Sequence, residues 1–129
     1  MQDVLQSSSR CWEQASFFDE FYALFMENSP EVKSLFKNTD FKKQKTLLRV
    51  GLSYLISYAQ GDESVKKKIE ELGMLHGRHK LNISPAWYPI WVNSLMEVVS
   101  KHDAYFNHEL EQSWRKTLQK GIDLMVSKY

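Results

Sequence analysis

The chain has 129 residues, 43% of them hydrophobic and 13% aromatic, which suits one packed domain and excludes a disordered chain. Lys and Arg number 17 against 16 Asp and Glu, so no overall field draws in nucleic acid or an anionic membrane, and neither is an expected partner. A single cysteine, Cys11, excludes an internal disulfide; with no apolar leader in MQDVLQSSSR and no run approaching the ~18 apolar residues of a membrane span, the expected location is the cytoplasm.

No stretch alternates with period two, so no sheet is expected, and the few glycines and prolines fall where helices should break. A short helix is predicted from Asp3 to about Glu13. A second runs from about Ser16 to Asn28, with Phe18, Phe21, Tyr22 and Phe25 on one face. Ser29-Pro30 caps and opens a short turn of helix, SPEVKSLF. Thr39-Asp40 caps a long helix that Gly61 stops. Asp62 or Ser64 begins another that ends near Gly77, and Ser84-Pro85 opens a segment running to about His102. The last helix spans about Asn107 to Lys128, with Leu110, Trp114, Leu118, Ile122 and Met125 three or four apart. The fold class is therefore all-α and a single domain over 1–129: five substantial helices and two minor ones.

Three of these helices carry a polar residue in an apolar stripe. In DESVKKKIEELGMLHGRH, Val65, Ile69, Leu72 and His76 recur four, three and four apart, which puts His76 on the buried face at a helix end. Such an imidazole is either a core side chain satisfied by a backbone carbonyl or a metal ligand. As a ligand it binds with one nitrogen while the other donates a hydrogen bond, and the carbonyl of Leu72, one turn back, is a suitable acceptor. Gln44 interrupts the stripe Phe41, Leu48, Leu52, Leu55 in the same way, and Tyr22 stands among phenylalanines. Buried amides and hydroxyls require partners. Together the three residues imply a cavity with polar fittings between the helices of Gln44 and His76. His76 and His79 are three apart but have no Cys or acidic residue at a recognisable zinc spacing. The lysine clusters at 42–45 and 66–68 read as solvated faces, and Cys11 as a core residue.

The stretches FFDEFYALFMENSPEVKSLF, TDFKKQKTLLR, LGMLHGRHKLNISPAWYPIW and SWRKTLQKGIDLM, in this order and spacing, resemble the single-domain bacterial haemoglobins, globins related to flavohaemoglobins and globin-coupled sensors. The resemblance implies a globin fold of six to seven helices around a b-type haem, protoporphyrin IX iron. It implies that His76 is the proximal ligand, that Phe36 packs on the ring, and that Tyr22 and Gln44 are the distal pair. Leu48 would be the apolar residue over the iron, and Tyr88 a tyrosine near the proximal side. In the commonest pattern the ligand stands five residues before Ile-x-Pro-x-x-Tyr, which here is Arg78; His76 fits a variant with two extra residues and His79 one with one fewer. The helical stripe favours His76, because His79 follows Gly77. Arg78, His79 and Lys45 are charge-based candidates for the propionates.

The proximal glutamate of the last helix in flavohaemoglobins has no match: Ile122, Leu124, Met125 and Val126 stand there. No flavin, nicotinamide or output domain follows Tyr129 within this sequence. The implied function is reversible binding of O₂, NO and CO for storage, transport or sensing. Its rivals are NO dioxygenation with an external reductase and a haemless interaction module. A homodimer is left open.

Overall fold

The computed structural model describes residues 2–129, and among them there are seven α-helices and no strand. They are α1 (Gln2–Trp12), α2 (Phe17–Asn28), α3 (Pro30–Leu35), α4 (Phe41–Ala59), α5 (Lys66–Leu75), α6 (Trp87–His102) and α7 (His108–Val126). The capping residues act largely as their chemistry requires. Ser29 accepts from the N–H of Val32, Asp40 from those of Lys42 and Lys43, and Asn107 from that of Leu110. Gly61 turns the chain after α4 with φ +96°, a conformation open to glycine.

Two boundaries differ from the sequence reading. Asp62 caps only a 3₁₀ turn, Glu63–Val65, and α5 proper starts at Lys66. Ser84-Pro85 makes a tight turn in which Ser84 Oγ accepts from Ala86 and the Ser84 carbonyl from Trp87, so α6 begins at Trp87. In both places the residues with helix-start chemistry cap a turn rather than the helix behind it.

Helices α6 and α7 form the centre. α2 packs across α6, α4 and α5 both pack on α7, and α1 bridges α6 and α7. The core they enclose includes Phe17, Phe21, Leu52, Ile69, Leu95, Leu118 and Trp114, all almost fully buried. Two glycines set the helix spacing. A Cβ on Gly121 would stand 2.2 Å from Leu55 Cδ2 of α4, and one on Gly73 would stand 2.8 Å from the Met125 backbone. α7 therefore receives α4 through its own glycine and α5 through that of its neighbour. Cys11 is a core side chain, as expected: burial pushes its thiol up to about 12, which leaves it uncharged.

Buried polar atoms are paired. Trp114 Nε1 donates to Ser7 Oγ at 2.9 Å across α1 and α7. Ser7→Ala strands this N–H in the core and should lower the unfolding free energy by about 1–3 kcal/mol. Urea denaturation measures this, and a change under about 0.5 kcal/mol, the size of an ordinary surface substitution, contradicts it.

Candidate functional site

The C-terminal end of α5 is built to hold one histidine still. Its backbone N–H donates to the Leu72 carbonyl at 2.9 Å, and its ring Nδ1 lies 2.7 Å from the same oxygen. A carbonyl only accepts, so Nδ1 carries a proton, and in the neutral ring the lone pair is then on Nε2. The carbonyl of His76 in turn accepts from Ile83 at 2.8 Å, while Leu81 donates to Leu75 and Asn82 to Gly77. The loop after α5 thus folds back and satisfies the carbonyls that the helix end leaves open. Asn82, with φ 52°, makes that reversal, and its Oδ1 accepts from the Tyr129 hydroxyl at 2.6 Å. The Leu72 carbonyl is the acceptor that the sequence suggested. The loop's return and its tie to Tyr129 were not foreseen, since nothing in the periodicity announces them.

A second cluster forms around Tyr22. Its ring lies edge-on to Phe36 at 5.5 Å and Phe41 at 5.4 Å, and Phe36 and Phe41 are 5.9 Å apart. The Tyr22 hydroxyl is 3.4 Å from the backbone carbonyl of Gln44. Burial, only partly offset by a hydrogen bond with the Gln44 side chain, pushes the phenol up to about 12, so it remains a neutral donor at any ordinary pH. The side chain of Gln44 is half-buried and lies close enough to the Tyr22 hydroxyl to hydrogen-bond it. Leu48, one turn on, is half-buried beside the core. Phe41 joins this cluster without having been singled out; the sequence shows it only as the first residue of a stripe.

No hydrogen bond or ring contact joins the Tyr22 cluster to His76 among the described residues. Two cavities, of about 490 and 230 Å³, open elsewhere, one beside Asp3, Arg10 and Tyr105 and the other beside Trp12 and Arg49. Neither is lined by Gln44 or His76. Exposed apolar residues are concentrated on the stretch of chain from α3 to the loop after α5. All the large exposed hydrophobic residues except Tyr105 fall between Leu35 and Leu81. Leu47, three residues past Gln44, is 54% exposed, and Leu75 and Leu81, on either side of His76 in the chain, are each 51% exposed. A concentration of this kind marks a surface that something covers.

The remaining candidates lie apart from this arrangement or face away from it. His79 is exposed in the turn after α5. The Arg78 guanidinium lies over the Tyr129 ring at 4.9 Å, and Lys45 pairs with Asp19 at 2.8 Å. Tyr88, in the first turn of α6, is half-buried, its hydroxyl has no partner among the described residues, and burial raises its pKa. No group of three or more His, Cys, Asp and Glu that could hold a bare metal ion exists among the described residues. A lone imidazole with a fixed lone pair suits a metal that arrives with most of its ligands already in place. The apolar surface beside it suits a large, flat, greasy carrier of that metal. These residues therefore fit an iron porphyrin.

No helix among the described residues is long and apolar enough to cross a membrane. No curated protein matches the chain at a significant level. A protein of Pseudomonas aeruginosa PAO1, known from a crystal structure and described as structurally highly homologous to a human hemoglobin, is 37% identical. It superposes with a TM-score of 0.95 over 99% of this chain and 96% of its own. The pattern of the globin family matches residues 19–125, which takes in all of α3 to α6, most of α2 and nearly all of α7. On sequence pattern and on fold alike, this chain belongs to the globin family.

Proposed function

We propose that this globin binds a b-type haem between α4 and α5, with His76 as the proximal ligand, and that it reversibly takes up O₂, with NO and CO as further ligands. The observation that carries the reading is the 2.7 Å contact of His76 Nδ1 with the Leu72 carbonyl, which fixes the tautomer and leaves Nε2 to bind metal. An iron porphyrin held there by His76 would supply an iron able to bind a diatomic gas. Phe36 supplies a ring for the macrocycle to lie against, and Leu48 keeps water from the open side. Arg78, His79 and Lys45 are the cations for the propionates; Arg78 and Lys45 exchange a surface stacking contact and a surface ion pair for them, and exposed pairs of that kind are weak. Leu72 acts through His76, and Tyr88 lines the proximal side.

Tyr22 and Gln44 are the donors. The 3.4 Å contact of the Tyr22 hydroxyl is longer than the 2.5–3.0 Å typical of O–H donors, so a closer acceptor displaces it at little cost. The side chain of Gln44 stands beside the Tyr22 hydroxyl, so the two donors sit together. O₂ gains negative charge on binding and rewards a donor, whereas CO gains almost none. Tyr22→Phe removes the hydroxyl and keeps the ring, so O₂ release should accelerate on the order of 5- to 150-fold, the equivalent of about 1–3 kcal/mol. CO release should change far less. Gln44→Leu acts in the same direction and not additively. If both variants leave O₂ release within a few-fold of the parent, the distal assignment is wrong. The visible spectrum of the purified protein, with and without added O₂, tests haem binding itself.

A further inference from the structure

The chain has five glycines, and four of them have a reason inside the molecule. Gly61 adopts φ +96°. A Cβ on Gly73 would meet the Met125 backbone at 2.8 Å, one on Gly77 would meet the Met74 carbonyl at 3.0 Å, and one on Gly121 would meet Leu55 Cδ2 at 2.2 Å. Gly51 has none of these. It sits in the middle of α4 with ordinary helical backbone, and a Cβ built on it has nothing within 4 Å. Glycine is the least favourable residue after proline in a helix interior, so its presence where a Cβ would meet nothing is a net loss of stability unless something else needs the space.

Its position says what that is. Gly51 lies three residues after Leu48, seven after Gln44 and four before Leu55, on the inward stripe of α4. On its other flank is Leu47, four residues earlier and 54% exposed. On this stretch of α4 a side chain is missing where a Cβ would meet open space, four residues from an exposed leucine.

We propose that Gly51 is a positioning residue for the porphyrin: its bare backbone lets the flat macrocycle come into van der Waals contact with α4, and any side chain there occupies the space of the ring edge. This inference rests on the haem reading above. Gly51 touches no reacting atom. It sets how deep the ring sits between α4 and α5, and so the reach of Gln44 and of His76 to it.

The test separates the two claims by using porphyrin with and without iron. Group-free wild type, Gly51→Ala and Gly51→Phe are melted and then titrated with ferric protoporphyrin IX and with metal-free protoporphyrin IX, followed by absorbance and by fluorescence. The metal-free ring cannot use His76, so its binding reads the shape of the cleft alone. Gly51→Ala should raise the melting temperature of the group-free protein by about 3 °C. Gly51→Phe should leave the group-free protein folded and at least as stable, and weaken uptake of both porphyrins by about 5- to 150-fold, the range that forced overpacking costs. Equal uptake by wild type and Gly51→Phe overturns the proposal. So does a Gly51→Phe protein whose sedimentation changes while its porphyrin uptake does not, since the glycine then serves a second copy. If wild type takes up neither porphyrin, the haem reading falls along with it.

Discussion

His76→Ala should release the haem. The substitution removes the imidazole that the end of α5 offers a metal, and with it the contact that locks the ring on the Leu72 carbonyl. Partners one shell further from a metal are worth about 10–100-fold in affinity, so loss of the ligand itself should exceed about 100-fold. The fold should survive, because His76 is only half-buried and its backbone bonds to Leu72 and Ile83 do not need the side chain. Titration of the group-free variant with ferric protoporphyrin IX reads the loss, and added free imidazole should restore much of the native spectrum. His79→Ala is the control and should bind like the parent, since His79 stands exposed in the turn beyond. If the two variants exchange behaviours, the proximal assignment moves to His79.

Arg10→Ala should be the most damaging substitution away from the cleft. Arg10 Nε and the second guanidinium nitrogen grip the two oxygens of Asp103 at 2.6 and 2.8 Å, and the carboxylate is 2% exposed. Burial by itself would push that carboxyl up, but the bonds from Arg10 and Ser7 and the N–H of Tyr105 outweigh it and hold it below the usual carboxylate range. Taking away the arginine leaves a buried charge with most of its compensation gone. The expected loss is about 3–5 kcal/mol, or a fall in melting temperature on the order of 10 °C. The pH dependence has a definite sign. A carboxyl depressed in the folded state stabilises the protein above its unfolded value near 3.9, and that stabilisation is lost as pH falls through the lower folded value. The gap between wild type and Arg10→Ala should therefore be full at neutral pH and close as the pH drops below about 4. A gap that stays constant from pH 7 to pH 3 would show that Arg10 stabilises through packing alone.

Much of this architecture was legible because helices leave a periodic trace. The stripe Val65, Ile69, Leu72, His76 gave both the face of α5 and the acceptor for the imidazole, since a residue four back on a helix is one turn away in space. Ser29 and Asp40 announced their helices because an N-cap is a local, one-residue chemistry. What sequence did not reveal is contact without period. The clasp of Arg10 on Asp103 joins residues 93 apart, and that of Tyr129 on Asn82 residues 47 apart. Gly51 read as an ordinary helix position, and only the empty space in front of it, a property of three dimensions, sets it apart from the other four glycines. The cavity expected between Gln44 and His76 is neither of the two described, which open beside Arg10 and beside Trp12.

α5 contributes only Ile69 and Gly73 to the buried interior, and it is anchored mainly along α7. Elements with so little burial open far more often than the molecule as a whole unfolds. His76 closes this helix, so each such opening carries the histidine away from whatever it holds. Opening of this short helix would then be one route by which a group held at His76 leaves. Amide exchange should show it: the N–H of His76 and its neighbours on α5 exchanging ahead of the α6 and α7 core, and slowing together once the site is filled.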